Sequence, residues 1–310
     1  MTIPALDTAA VGQPITRLGV SFFPVYLPGN RVPRIAAGPK SGLVVGELES
    51  PSIPHLKAEN PTDAPILVIE GEHFFGGLQD RTANATVLVP PYTTVEIPVT
   101  CLEAGRWGES RPGASRTTTA SRHERSHRMA PPEVRRNVRA SVSHSYRQEA
   151  GHRVDQGAAW RAVAETLHRQ GANSPTQAAH EAEDAAFRRH RPRRRAAEEL
   201  EACGPLLRQS GVCITHGRRV QAVEIFGAPN LLRAYWGGLV RTYLADPPAT
   251  TARPSAERAL WAVRRLTCME LKSAPGLGLG TEVRAVDDVL AGVALLVEGG
   301  LVHQSALFAG

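Results

Sequence analysis

The stretch from Ile66 to Trp107 constrains the fold most, because it sets charged side chains among runs of residues that are typical of buried β-strands. Its strand-like runs are ILVIEG, RTANATVLV and TVEIPVTCLE, and in the last run residues 95, 97, 99 and 101 share one face. Charged residues are rarely buried without a partner, so the stretch predicts either an ion-pair framework or a binding site. The polar side chains concerned are Glu70, Glu72, Gln79, Asp80, Arg81, Glu103 and Arg106.

The pattern of the whole chain predicts an α+β protein. Short apolar runs broken by Pro and Gly predict an N-terminal, mostly antiparallel β domain, either a sandwich or a half-open barrel. Helical spacing follows in a helical middle, with Val134, Val138 and Val142 on one face of a first helix. A C-terminal α+β part is predicted to contain two hairpins, one about His216-Gly217 and one about Gly299-Gly300.

These patterns divide the chain into four segments. Residues 1–107 form the β-rich domain, and residues 108–130 are predicted to be a basic loop because they are small, polar and basic without periodicity. Residues 131–202 form the helical segment, in which Ser174 is predicted to cap a third helix. Residues 203–310 form the α+β C-terminal part, which is compatible with packing as one unit with residues 131–202.

The composition indicates which class of protein the chain belongs to, but it says little about the chemistry of a site. The 310 residues carry a net charge of +6, and 42% are hydrophobic, which is enough for a sizeable core. No apolar run approaches the roughly 18 residues of a membrane helix, and no secretory signal is visible, so a cytoplasmic protein without a membrane partner is predicted. Arginine-rich stretches such as RRHRPRRR favour a solvated charge run over nucleic-acid binding.

Two carboxylates of the Ile66–Trp107 stretch leave alternatives open. Glu70 and Glu72 face the same way if the strand continues, and such a pair suits acid–base catalysis or a divalent metal. In the alternative, which the sequence favours, Gly71 turns the strand and the carboxylates pair with Arg81 and Arg106. No metal site is predicted, because the cluster lacks histidine on the same face, and the sequence identifies no cofactor.

Two further features also have a structural and a functional interpretation. Cys101 is a nucleophile if Arg106 lowers the pKa of its thiol, but a buried structural cysteine is favoured. Asp155 suits a helix N-terminus through the helix dipole alone, whereas Asp155, Gln156 and Trp160 together could face the cluster of charged residues.

Three segments resemble a known bacterial family. They are EGEHFFGGLQDR, VLVPPYTTVEIPVTCLEAGRW and HRVDQGAAW, and the hairpin GVCITHGRRVQAVEIFG with the closing VHQSALF is also similar. The family is the ARG and rhodanese-phosphatase-superfamily-associated protein domain, where ARG stands for ADP-ribosylglycohydrolase. In that family the glutamine is typically followed by Asn and Arg, whereas here Asp80 takes the middle place. The resemblance implies a setting near ADP-ribose or nucleotide metabolism.

Three hypotheses about function follow, and whether the protein is an enzyme stays open among them. In the first, the protein binds ADP-ribose or another phosphorylated small molecule, held by arginine and stacked on tryptophan. In the second, it is a hydrolase with Glu70 or Glu72 as general base. In the third, the same groups form a buried ion-pair network of a structural or interaction module. The predicted ligand-binding residues are Gln79, Arg81, Glu103, Arg106, Trp107, Asp155, Gln156 and Trp160.

Overall fold

The computed structural model describes residues 3–106, 122–148, 151–250, 252 and 254–309. The chain forms two compact units. Unit 1 consists of the described residues of 1–34, 190–276 and 280–310, and unit 2 of those of 35–189 and 277–279. The division into four segments that the sequence suggests stays a prediction.

The described residues contain eighteen strands and six α-helices. The strands are β1 (Ala10–Val11), β2 (Ile15–Arg17), β3 (Val20–Tyr26), β4 (Ala36–Ala37), β5 (Val44–Gly46), β6 (His55–Asn60), β7 (Ile66–Val68), β8 (Glu72–Gly76), β9 (Arg81–Ala83), β10 (Val87–Val89), β11 (Thr93–Cys101), β12 (Arg122–Met129), β13 (Gly211–His216), β14 (Arg219–Phe226), β15 (Lys272–Pro275), β16 (Thr281–Val286), β17 (Leu290–Val297) and β18 (Gly300–Phe308). The helices are α1 (Pro132–Arg147), α2 (Gln156–Arg169), α3 (His180–Arg189), α4 (Arg191–Cys203), α5 (Pro229–Leu244) and α6 (Ala256–Arg264).

Unit 1 is built on one antiparallel sheet of nine strands. The order is β1-β3-β13-β14-β18-β17-β16-β15, and β2 pairs with β3 as well. One face of the sheet packs on α6 through an apolar core that includes Phe23, Ile225 and Val263. Side chains alternate along a strand, so Phe226 lies on the opposite face, where its ring stacks on Tyr235 of α5 at 5.5 Å. The apolar residues that alternate along β13 and β14 therefore pack on α6 at one face of the sheet and on α5 at the other.

Unit 2 contains a closed six-stranded barrel in the order β11-β6-β5-β12-β8-β9. A small sheet of β10, β7 and β4 adds a single parallel pairing, between β4 and β7. The apolar core includes Leu56, Phe74 and Ile97, while helices α1 and α2 pack together through a second core containing Val138 and Val163. This arrangement confirms the predicted α+β class, and it divides the strands of residues 1–107 among the sheet of unit 1, the small sheet and the barrel.

The prediction of a loop over residues 108–130 was wrong for residues 122–129, which form β12 and pair with β5 and β8. Residues 107–121 lie outside the described residues. Alternate residues of β12 are buried, as a strand requires, but two of them are His123 and Arg125. A strand whose inward side chains are charged lacks the apolar alternation by which strands are recognised.

Two other boundaries differ from the predictions. Ser174 does cap a turn, since its hydroxyl accepts a hydrogen bond from the Ala178 amide at 2.8 Å, but α3 begins only at His180. The last hairpin turns at residues 298–299, and Gly300 is already the first residue of β18. The hairpin about residues 216 and 217 is confirmed. None of the helices in the described ranges combines the length and the apolar character that crossing a membrane requires.

Candidate functional site

Glu70 is fully buried in unit 2 and paired with an arginine from α1. Its Oε1 atom lies 2.6 Å from Nε of Arg139, and both side chains are almost completely inaccessible. The residue stands in the turn between β7 and β8, where Gly71 adopts φ +89°. Gly71 therefore does turn the chain. The partner of Glu70, however, comes from α1, and the spacing of residues near Glu70 gives no information about so distant a segment.

Glu72, the first residue of β8, has its own arginine. The Arg125 guanidinium donates to both carboxylate oxygens of Glu72, from Nε at 2.6 Å and from Nη2 at 2.9 Å. The same guanidinium also donates to Ser41 Oγ and to the Leu67 carbonyl. Two-pronged pairing of this kind is among the strongest that a carboxylate makes. Glu70 and Glu72 are thus each paired with a different arginine.

Glu103 and Arg106 form a third buried pair at the end of β11. Glu103 Oε2 accepts a hydrogen bond from Arg106 Nε at 2.9 Å and one from the Asp80 amide at 3.1 Å. Arg106 also donates to the carbonyls of Gly77 and Gly76. The Arg106 guanidinium is therefore directed at internal partners that fix the loop between β8 and β9. Trp107, the next residue of the predicted site, lies outside the described residues.

A fourth group surrounds the bend at Gly77. His123 Nε2 and the Leu78 amide both lie 3.0 Å from Glu47 Oε1. Burial alone would raise the pKa of Glu47, but the hydrogen bonds from His123 and from the Leu78 amide outweigh it and hold that pKa below its usual value. The buried Arg81 donates to Gln79 Oε1 at 3.0 Å. Gln79 and Arg81, both predicted site residues, thus contact each other.

Replacing Gly77 with alanine should lower the free energy of unfolding by about 2 kcal/mol. Its φ of +56° disfavours a side chain, and a Cβ there would overlap the buried His123 ring. Gly151→Ala is the matched control, because Gly151 has φ +69° and no atom within 4 Å of its Cβ position. Urea unfolding measures both variants. Equal losses would mean that backbone conformation alone accounts for the cost.

The predicted residues of α2 have local structural partners. The Gln156 amide bonds to the backbone of Cys101 twice, accepting from its N–H at 2.9 Å and donating to its carbonyl at 3.0 Å. Asp155 caps α2 through the Ala158 amide, and Trp160 is partly exposed. Burial raises the pKa of the Cys101 thiol, which favours the structural interpretation of this cysteine. Of these residues, the described contacts bring only Gln156 to β11, at Cys101, its last residue.

Asp80 is the centre of a polar group whose outer member, His180, is partly exposed. Its Oδ2 atom lies 3.0 Å from Nδ1 of His180 and 3.3 Å from Nε2 of His73. Its Oδ1 atom accepts a hydrogen bond from the Gly76 amide at 2.9 Å. Asp80 is completely buried, whereas 13% of the His180 side chain is exposed. The chain thus presents an imidazole at its surface with a buried carboxylate behind it.

The backbone explains how His180 reaches Asp80. Residues 176–179 lie along the end of β11, since the Gly105 amide donates to Thr176 and the Ala179 amide donates to Leu102. His180 follows directly as the first residue of α3, and its ring meets the edge of Phe75 at 4.9 Å. The position of the imidazole is therefore fixed by backbone pairing and by an aromatic contact.

Electrostatics favour the ionised form of Asp80. Burial by itself would raise the pKa of this carboxyl, but the close contacts with His180 and His73 outweigh burial and hold the pKa well below its usual range. A carboxylate that stays ionised can orient an imidazole and stabilise its protonated form. Within the described residues, no group of three or more His, Cys, Asp or Glu side chains could hold a metal ion.

The chain was compared with family models, with curated proteins and with solved structures. Residues 8–307 match the model of the ARG and Rhodanese-Phosphatase-superfamily-associated Protein domain, ARPP-1, which covers nearly the whole chain. The chain belongs to this family. No curated protein and no solved structure matches it. The ARPP-1 match confirms the resemblance of the sequence segments but does not assign an activity to any residue.

Sequence reasoning missed part of the polar group of this ARPP-1 domain. His73 and Asp80 lie within the segment EGEHFFGGLQD, and the sequence places Asp80 in the polar cluster without predicting its contacts with His73 and His180. His180 was not considered at all, because a histidine at a helix start carries no local signal. One sequence feature does point to this group: Asp80 stands where the family typically has Asn. The substitution adds a negative charge, and a buried charge needs partners.

Proposed function

We propose that this ARPP-1 domain is a hydrolase whose acid–base group is the His180 imidazole, oriented by Asp80. The observation that carries the proposal is the 3.0 Å contact between His180 Nδ1 and Oδ2 of the buried Asp80, with His180 partly exposed. Because Nδ1 faces Asp80, Nε2 is the nitrogen left for a substrate. No hydrogen bond joins Nε2 to another residue in the described ranges.

The proposed chemistry is general base catalysis of hydrolysis. His180 Nε2 takes a proton from water as the water oxygen bonds to the electrophilic atom, and the leaving group departs with the electron pair of the broken bond. The imidazolium then lies against the ionised Asp80 and can return the proton to the leaving group. Such positioned proton transfer typically contributes a factor of about 10² to 10⁴ in rate.

The substrate class that we propose is ADP-ribose or a related phosphorylated small molecule. Its support is the family description, which names ADP-ribosylglycohydrolase and phosphatase associations, and this support is one of context. We also propose that the protein works in the cytoplasm. All four cysteines are free thiols, which suits a reducing compartment.

Binding without turnover is the second proposal. Arg81 and Arg106 would hold the anion, Gln79 and Gln156 would orient it, and Trp107 or Trp160 would stack on it. This proposal is supported less well, because the Arg106 guanidinium donates to Glu103 and to two backbone carbonyls. A base role for Glu70 or Glu72 meets a similar objection, since each is buried and paired with an arginine.

Turnover of a nucleotide panel tests the first proposal. The full chain is incubated with ADP-ribose, NAD and p-nitrophenyl phosphate, and products are separated by chromatography. His180→Gln should lower kcat/KM at least a hundredfold while the fold, followed by circular dichroism, is retained. His168→Gln is the control, because His168 is an exposed residue of α2 outside the polar group.

Two results would contradict the acid–base proposal. One is the absence of turnover with every member of the panel, and the other is full activity in His180→Gln. In the first case, calorimetric binding of ADP-ribose without turnover would support the binding-only proposal, provided that Arg81→Ala then loses the binding.

A further inference from the structure

A cleft of about 690 Å³ lies in unit 1 beside the first turn of α5. The polar groups around Glu70, Glu72, Glu103 and Asp80 all belong to unit 2, so the cleft is a separate feature. Ligand sites in proteins typically have volumes of about 300 to 1,000 Å³. The cleft therefore has room for a molecule of nucleotide size.

The charge of the cleft is positive. Arg31 and Arg208 line it, and no Asp or Glu is among the described residues that do so. Both arginines are exposed, and no hydrogen bond or ion pair joins either guanidinium to another described residue. Guanidinium groups bind carboxylate and phosphate oxygens through charge-assisted hydrogen bonds, so two unengaged guanidinium groups at one cleft suit an anionic ligand.

Hydrogen bonds of neighbouring side chains hold the loops that carry Arg31 and Arg208. The Asn30 side chain donates to the carbonyls of Gly227 and Leu301 and accepts from the Leu301 amide, each at 3.0 Å, which fixes the backbone beside Arg31. Gln209 similarly braces the second loop by bonding to the Leu206 amide and the Gly211 carbonyl.

The backbone at Arg208 is itself unusual, with φ +62°. A residue other than glycine is uncommon in this left-handed region, and such conformations persist where the surroundings impose them. Here the Gln209 bonds on either side impose it, and the conformation places Arg208 at the cleft.

Two further polar features face the same space. Helix α5 begins at the cleft with Ala228 as its N-cap, and its first turn contains no acidic residue. Pro229 has no N–H and the Leu231 amide bonds to the Ala228 carbonyl, so Asn230 is the first-turn residue whose amide has no side-chain cap among the described residues. Ser210, only 5% exposed, also lines the cleft, and no hydrogen bond to its hydroxyl exists among the described residues. A helix N-terminus with a buried free hydroxyl beside it suits the oxygens of a phosphate.

Apart from Asn30, the rest of the lining is largely apolar. Tyr26 is half-buried and offers an aromatic surface, and Leu27 and Val32 are among its neighbours in the lining. A ligand that used the whole cleft would therefore combine an anionic group with an apolar or planar part.

We propose that this cleft binds a phosphorylated small molecule of nucleotide size, with its phosphate between Arg31, Arg208 and the first turn of α5 and its planar part beside Tyr26. The proposal does not depend on acid–base chemistry at His180. None of the residues that the sequence pointed to lies in this cleft.

Isothermal titration calorimetry of the full chain with AMP and with adenosine tests the proposal. AMP should bind, and adenosine should bind at least tenfold more weakly because it lacks the phosphate. The double variant Arg31→Ala with Arg208→Ala should weaken AMP binding at least tenfold. Arg258→Ala should change it less than twofold, since Arg258 is an exposed arginine of the same unit that does not line the cleft.

The proposal is overturned if AMP gives no binding at millimolar concentration, if adenosine binds as tightly as AMP, or if Arg258→Ala weakens binding as much as the double variant. His180→Gln separates this proposal from the hydrolase proposal. That variant should bind AMP like the unmodified chain, so a failure of the catalytic proposal leaves the cleft unaffected. A loss of AMP binding in His180→Gln would contradict the assignment of the AMP site to the cleft of unit 1.

Discussion

Replacing Arg125 with alanine should lower the free energy of unfolding by about 3–5 kcal/mol, because it leaves the buried Glu72 carboxylate without its two-pronged partner. The loss should be visible as a lower midpoint in urea unfolding at neutral pH. If the variant does not fold, the double variant Arg125→Met with Glu72→Leu provides the comparison. It should be more stable than Arg125→Ala, since it removes both charges together.

The control is an ion pair of similar geometry at the surface. Arg195 lies 2.9 Å from Glu199 on α4, and 82% of the Arg195 side chain is exposed. Arg195→Ala should cost less than about 1 kcal/mol, because exposed pairs are screened by water. A loss at Arg125 no larger than the loss at Arg195 would mean that the buried pairs of unit 2 do not hold the barrel together.

Replacing Asp80 with asparagine should destabilise the protein by about 3 kcal/mol at pH 7, since two imidazole contacts and the Gly76 bond lose the carboxylate charge. The folded-state pKa of Asp80 lies below its unfolded value, so this stabilisation is present above about pH 4 and is lost as the pH falls toward the folded pKa. The difference between the two proteins should therefore shrink between pH 5 and pH 2, by at most about 1.4 kcal/mol per pH unit. Urea unfolding across that range measures it.

The sequence predicted those parts of the fold that have a local signal. The hairpin about residues 216 and 217 has alternating apolar residues on both sides of a glycine, and α1 has Val134, Val138 and Val142 on one buried face. The strand β12 could not be predicted in the same way, because its inward side chains include His123 and Arg125. Their burial is possible only through Glu47 and Glu72, which lie far away in the sequence.

The sequence indicated several of the residues that belong to the polar cluster, but it did not indicate which arginine pairs with which carboxylate. Glu70 and Glu72 were expected to pair with nearby arginines, Arg81 and Arg106, whereas they pair with Arg139 of α1 and Arg125 of β12. Residue spacing gives the face on which a side chain lies, but it gives no information about which distant segment supplies the counter-charge. His180 reaches Asp80 through a backbone pairing of residues 176–179 that has no sequence signature.

The buried ion pairs of unit 2 support the backbone that positions Asp80 and His180. The pairs of Glu72 with Arg125 and of Glu103 with Arg106 fix the ends of β8 and β11. Asp80 lies in the loop between β8 and β9, and the segment that leads to His180 is bonded to the residues that follow β11. We expect changes to the pairs to lower stability first, and changes to His180 to lower activity with little effect on stability.

The charge of Asp80 is the most direct measure of this arrangement. Carbon-13 NMR of the side-chain carboxyl, assigned by comparison with Asp80→Asn, follows its ionisation from pH 6 to pH 2.5. If His180 and His73 hold the carboxylate in its ionised form, the Asp80 signal stays at the ionised position down to about pH 3. A titration centred near the ordinary value of about 3.9 would contradict the arrangement and, with it, the acid–base role of His180.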